Sequence, residues 1–363
     1  MGELEQLYVK EAFDTNWVAP LGPNVTQFEL ALEQYIQNNV YVAALSSGTG
    51  AIHLALELLG VSRGDEVLCQ SFTFSASANP ILYLGAIPVF VDSEQDTWNI
   101  SPQLLEEAIK DRLAAGKKPK AIIAVHLYGM PYKIDEIREI SNKYDIPVVE
   151  DSAEALGSTY EGIKCSSFGD IGILSFNGNK IITTSGGGAL VTRKEEIKNK
   201  AVFLATQARD DAPHYEHSHI GYNYRMSNVL AGIGRGQMEV LDDRVAARRA
   251  NFEFYRTNLS DITEIEFQNE PAGYFCNRWL TCILTPSFEV REEIRMALAE
   301  ENIESRPLWK PMHLQPVFAD CPAYVNGTSK RLFEQGLCLP SGSNMTDEDR
   351  ARVLGVLKAT LNI

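Results

Sequence analysis

The chain has 363 residues, 45% of them hydrophobic and 22% charged, an ordinary balance for a globular protein long enough to build one large core and a smaller one. Its formal net charge of −15 argues against nonspecific binding to nucleic acid or to an anionic membrane, because both need a basic face. No stretch reaches the roughly 18 consecutive apolar residues of a membrane span.

The first residues, Met1-Gly2-Glu3-Leu4-Glu5, are acidic and have no apolar signal core, so a cytoplasmic location is expected. From residue 40 to about residue 200, short apolar runs rich in β-branched residues alternate with longer amphipathic segments. The runs fall at 41–45, 66–69, 88–91, 121–125 and 146–149, and the helix-like stretches at 49–59, 102–113 and 133–144. Such alternation predicts α/β architecture with a mainly parallel sheet covered on both faces. A helical pattern then runs from Asn228 to about Asn258, followed by strand signals at 277–284 and helical ones at 290–301 and 346–361. We therefore expect a large domain over 1–240, with a connector helix beginning near its end, and a small α+β domain over 241–363.

Candidate chemistry appears in the same order. Ser46-Ser47-Gly48-Thr49-Gly50 opens a helix after an apolar run, where unpaired N–H groups and small side chains admit a phosphate; an ordinary helix cap fits the same residues. The lysine of a Walker motif and the spacing of a dinucleotide fingerprint are both missing. In Ser71-Phe72-Thr73-Phe74, one phenylalanine can stack on a planar cofactor, while the other reading is simple core. Asp151 ends the strand-like run Ile146-Pro147-Val148-Val149-Glu150-Asp151, where parallel sheets present functional groups, and Glu154 follows three residues later. A carboxylate there can keep a pyridine nitrogen protonated; capping of the next turn is the alternative.

Lys180 lies in Ser175-Phe176-Asn177-Gly178-Asn179-Lys180, ahead of Gly186-Gly187-Gly188, and its pairing with Asp151 points to a Schiff-base lysine whose cofactor is tuned by a carboxylate. The histidines of His214-Tyr215-Glu216-His217 and His219 match no zinc spacing, so no metal is expected and the segment reads as a loop. In Gly221-Tyr222-Asn223-Tyr224-Arg225-Met226-Ser227-Asn228, helix capping accounts for Ser227 or Asn228. Arg306-Pro307-Leu308-Trp309-Lys310-Pro311-Met312-His313 is a rigid, basic, aromatic loop, structural or binding, and Arg209, Arg225, Arg278 and Arg306 are candidate anion ligands. The six cysteines show no CxxC spacing and read as isolated thiols.

The order of these motifs is that of fold type I enzymes using pyridoxal 5′-phosphate (PLP). More narrowly, the chain resembles the DegT/DnrJ/EryC1/StrS family of nucleotide-sugar aminotransferases, from Ala19-Pro20-Leu21-Gly22-Pro23 through Ser71-Phe72-Thr73-Phe74, Glu150-Asp151-Ser152-Ala153-Glu154-Ala155-Leu156-Gly157 and Lys180 to Gly221-Tyr222-Asn223-Tyr224-Arg225-Met226-Ser227. Within that family, the stretches 175–188, 206–209 and 306–310 look closest to the C4 aminotransferases of bacillosamine biosynthesis, which act on UDP-4-keto-6-deoxy-N-acetylglucosamine.

The resemblance implies that Lys180 binds PLP as a Schiff base and that the cofactor passes through its pyridoxamine form (PMP) in turnover, with L-glutamate as amino donor. It implies Asp151 at the pyridine nitrogen, Glu154 near the phenolic oxygen, and Ser175, Gly48 and Thr49 at the phosphate. Phe74 would stack on the ring, and Asn223 would reach the cofactor phosphate of a neighbouring subunit, making the active unit a homodimer with shared sites. Many relatives have Gln or His at the position of Glu154. Substrate contacts are implied for Pro20, Leu21, His214, Tyr215, Arg225, Arg306, Trp309 and His313. Relatives usually carry a short segment before the point matching Met1, so a trimmed start is expected. Alternatives are amination at C3 or C4 of a GDP- or dTDP-linked keto sugar, a sugar dehydratase, against which Lys180 counts, and a noncatalytic PLP-binding regulator.

Overall fold

A computed structural model describes residues 1–361. Its centre is an eight-stranded sheet in the order Tyr41–Leu45, Gly188–Thr192, Ile171–Ser175, Val148–Asp151, Ala121–Val125, Glu66–Gln70, Ile87–Val91 and Ala323–Tyr324. Gly188–Thr192 runs antiparallel to both of its neighbours, and every other adjacent pair is parallel. The predicted mainly parallel sheet is therefore present. Its strands are buried almost throughout, as continuous Val, Ile, Leu and Ala runs require when helices cover both faces. Because the parallel strands share a direction, Leu45, Gln70, Val125, Asp151 and Ser175 end on one edge of the sheet. Side chains on the loops at that edge converge.

Local chemistry explains the helix starts there. Helix Gly48–Leu58 is capped by Ser47, whose hydroxyl accepts the Gly50 N–H at 3.0 Å. Ser101 and Thr346 cap Pro102–Ala114 and Asp347–Thr360 in the same way, the latter in a reciprocal capping box with Asp349.

The single helical pattern read over 228–258 is two helices, Asn228–Met238 and Leu241–Asn258, broken at Val240. Glycines in the first let other elements approach closely: a Cβ on Gly234 would lie 2.7 Å from the Phe28 ring, and one on Gly236 would lie 2.5 Å from the backbone nitrogen of Glu5. Helices Glu5–Asp14 and Pro23–Ile36 pack there.

A second core, including Tyr255, Ile283, Ile294, Leu298, Leu337 and Leu357, lies between a four-stranded antiparallel sheet and helices Phe288–Glu300 and Asp347–Thr360. This is the smaller α+β unit. The chain nevertheless returns to the large sheet late: Met312 and Phe318 join the core of that sheet, and Ala323–Tyr324 adds its last strand. Asp92, fully buried, accepts the N–H groups of Asn326, Gly327 and Ser329 and fixes this return. The six cysteines are free thiols, and among the described residues no helix is long and apolar enough to cross a membrane.

Candidate active site

A cavity of about 1110 Å³ opens at the carboxyl edge of the large sheet and extends to the small unit. Its walls include Gly48, Thr49, Phe74, Asp151, Glu154, Ser175 and Lys180 from the first and Arg306, Trp309, Cys338 and Ser341 from the second. The wall residues of the large sheet, far apart in sequence, meet here because each follows or ends a strand of that edge.

Asp151 is 4% exposed. Ser77 donates its hydroxyl to Oδ2 at 2.7 Å, Ala153 donates its N–H to Oδ1 at 3.2 Å, and Thr73 pairs with Ser77 at 2.8 Å. Burial, with the Asp151 charge adding to it, pushes the neighbouring Cys69 thiol far above its usual range.

Lys180 hangs from the loop after Ser175 with its amine 3.3 Å from Glu154 Oε1 and 4.3 Å from the ring centroid of Trp279. Trp279 anchors the same loop by donating Nε1–H to the Asn179 carbonyl at 2.7 Å. An ammonium over an indole face is favourable, more so where water is excluded. The other carboxylate oxygen of Glu154 accepts the Tyr128 N–H at 2.7 Å. Burial pushes the Glu154 carboxyl up to about 7, against the opposing pull of the Lys180 ammonium and the Tyr128 N–H. The Glu154 carboxyl therefore changes charge near neutrality.

At the opposite wall, the first amides of helix Gly48–Leu58 have no acceptor within the helix, and Ser175 stands beside them: a Cβ added to Gly48 would lie 3.0 Å from the Ser175 Cβ. Gly188 supports this corner from below, where a Cβ would lie 2.4 Å from the Gly48 nitrogen. Ser47 takes the capping role, which leaves Gly48 and Thr49 to face the cavity. Phe74 is 56% exposed and tilted against Trp309 at 5.5 Å, whereas Phe72 is core. A buried carboxylate, an amine, a hydroxyl beside free helix amides and a bare aromatic face form a donor set that fits a phosphorylated pyridine aldehyde.

Several expected residues lie elsewhere. Arg225 lies outside the cavity, its guanidinium donating to Glu29 at 2.5 Å and to the Ala44 carbonyl at 2.8 Å. His313 is likewise occupied, its Nδ1 2.7 Å from the Ser71 hydroxyl. Arg278 is buried against Phe252 and donates to the Gln268 carbonyl, a structural role. His214 pairs with Glu216, and Arg209 lies over the Tyr215 ring. Pro20, Leu21, His214, Tyr215 and Asn223 are exposed and outside the cavity of their own chain. Arg306 stands at the cavity wall, paired with Glu304 at 2.7 Å.

Sequence reasoning missed Ser77, Tyr128 and Trp279. Ser77 follows Phe74 on helix Ser75–Tyr83 without any motif, and Trp279 sits in a segment read only as strand. Tyr128 has φ +55°, left-handed for a non-glycine residue, and only the folded turn shows it.

The family model described as the DegT/DnrJ/EryC1/StrS aminotransferase family matches residues 1–358. The chain is 52% identical over 361 residues, 98% of its length and 93% of the relative's, to EpsN of Bacillus subtilis (strain 168), provisionally named a pyridoxal phosphate-dependent aminotransferase. It is 38% identical over 345 residues, 95% of its length and 92% of the relative's, to the GDP-perosamine synthase of Escherichia coli O157:H7. Among solved structures, Spr1654 of Streptococcus pneumoniae in its PMP form, provisionally named a sugar aminotransferase, superposes with a TM-score of 0.92 at 26% identity, covering 100% of this chain and 97% of that one; a PLP form of it is also solved.

Proposed function

Because the chain belongs to the DegT/DnrJ/EryC1/StrS aminotransferase family, and so is a PLP-dependent sugar aminotransferase, we propose that it transfers an amino group from L-glutamate to C4 of UDP-linked 4-keto-6-deoxy-N-acetylglucosamine. The observation that carries the chemistry is the meeting of Lys180, Glu154 and Asp151 in one cavity. The sugar rests on the resemblance of the stretches 175–188, 206–209 and 306–310 to C4 aminotransferases of that pathway.

When bound, the cofactor supplies an aldehyde carbon that accepts amines and a ring that delocalises negative charge. Lys180 would hold it covalently, and the Lys180 amine, once free, would move the proton at the donor's α-carbon. Asp151 keeps the ring nitrogen protonated, and its bonds from Ser77 and Ala153 hold it in one orientation. Glu154 partners the phenolic oxygen. Ser175 and the Gly48 and Thr49 amides bind the phosphate, and Phe74 covers the ring. Arg306 and Trp309 are the substrate contacts of the same chain. Pro20, Leu21, His214, Tyr215 and Asn223 keep a role only across a subunit boundary, and their exposure supports a homodimer in which Asn223 reaches the partner site.

Gly188→Ala tests the phosphate corner. The added methyl displaces the Ser47–Gly48 backbone, so we expect a stability loss of about 1–3 kcal/mol and a PLP dissociation constant raised by roughly tenfold or more, read by thermal melting and by absorbance titration. Unchanged cofactor affinity defeats the assignment.

Substrate is tested by incubating the purified protein with PLP, glutamate and UDP-, GDP- and dTDP-linked keto sugars, following glutamate consumption and the position of the new amine. A UDP 4-amino sugar is the expected product. The 38% identity to a GDP-perosamine synthase favours a second reading, amination at C3 or C4 of a GDP-linked keto sugar. Exclusive use of a GDP or dTDP sugar overturns the UDP assignment and leaves the amino transfer intact.

A further inference from the structure

We propose that His126 and Glu150, buried behind the strand that carries Asp151, are positioning residues for the cofactor-facing pair Asp151 and Glu154. The inference rests on the assignment of that pair above. Glu150 and Asp151 are consecutive on the strand Val148–Asp151, so they project to opposite faces. On the far face, Glu150 accepts five bonds: from His126 Nε2 at 2.7 Å, from the N–H groups of Ser166, Phe168 and Gly169 at 2.6, 2.7 and 2.8 Å, and from the Ser152 hydroxyl at 3.4 Å. Burial opposes its charge, yet His126 and these amides hold the carboxyl below its usual range.

His126 is fully buried and uses both ring nitrogens. Nδ1 accepts the Tyr132 N–H at 3.2 Å, which assigns the ring proton to Nε2, facing Glu150. The ring stacks on Tyr132 with centroids 4.5 Å apart, and the His126 N–H donates to the Asp151 carbonyl at 3.0 Å. One side chain thus closes the turn from 126 to 132 and pins it to the back of the catalytic strand. From that turn comes the Tyr128 N–H that holds Glu154, in a residue whose backbone is left-handed. The Cys165 sulfur lies within 4.8 Å of the donor atoms of this pair. Because both ring nitrogens and both Glu150 oxygens are already engaged, the cluster is a hydrogen-bonded staple and not an ion site. Burying a carboxylate is a poor way to gain stability; one bonded on every side instead fixes direction.

The test uses holoenzyme carrying His126→Leu, His126→Asn or His126→Gln. Leucine removes both bonds, asparagine is too short to reach Glu150, and glutamine keeps an N–H donor toward it. For the glutamate half-reaction we expect leucine and asparagine to lower kcat about tenfold with KM changed less than about twofold. We also expect them to move the pH midpoint of the lysine-bound cofactor's visible band by about half a unit or more, since Glu154 loses its oriented donor. Glutamine should restore most of both. If leucine does not fold, the asparagine and glutamine variants carry the comparison. Wild-type kcat and midpoint in the folded variants that lack the Glu150 bond, or a glutamine variant as impaired as they are, overturn the proposal. A wild-type protein with no lysine-bound band would instead overturn the underlying site assignment, before any variant is compared.

Discussion

Replacing Lys180 with alanine is expected to lower turnover by at least roughly 10³-fold, because in the proposed mechanism one amine serves both as the covalent tether and as the proton carrier. No other lysine lines the cavity among the described residues, so no neighbour can substitute. The side chain is 12% exposed and held by Glu154 and by the face of Trp279, and a bulk amine cannot reproduce that placement cheaply. The variant should still take up cofactor through Ser175, the helix amides and Asp151. Two measurements check this: the rate of the glutamate half-reaction, and the intact mass after borohydride treatment, which should gain the cofactor in the native protein and not in the variant. An alanine variant that turns over at near the native rate would sink the mechanism.

Asp151→Asn should reduce kcat by roughly 10²–10³-fold, the scale seen when one preorganised electrostatic partner of a developing charge is removed. Asparagine is nearly the same size and can keep an acceptor toward Ser77 or the Ala153 N–H, so the melting temperature should move by only a few degrees. The loss is then electronic, since a neutral amide does not hold a proton on the ring nitrogen. Near-native activity in a folded Asp151→Asn protein would remove Asp151 from that role.

The parts of this site legible in the sequence were those tied to strand ends and helix starts. Asp151 closes an apolar run, Gly48 and Thr49 begin a helix, and Lys180 stands between a strand and a glycine run, so local pattern and chemistry coincide. Trp279 and Tyr128 carry no local signal. Trp279 matters because of an indole placed across the cavity from a loop near residue 180, and Tyr128 because of a backbone conformation set by His126 and Glu150. Arg225 shows the opposite case: its segment looks rich in binding groups, and only the fold reveals Glu29 beside its guanidinium. The helix break at Val240 was hidden because Met238, Val240 and Leu241 carry apolar side chains straight across it.

The antiparallel strand Gly188–Thr192 also orders events during synthesis. Tyr41 pairs with Thr192 and Leu45 with Gly188, so the first strand of the sheet emerges long before its partner exists. At the other border, Ile87–Val91 waits for Ala323–Tyr324. A nascent chain therefore displays an unsatisfied border at each side of its sheet, and the second is covered only once Ala323–Tyr324 has been made. Exposed borders invite pairing with other chains. The phosphate corner, built where these first and late strands meet, cannot close until the lysine loop has already been made.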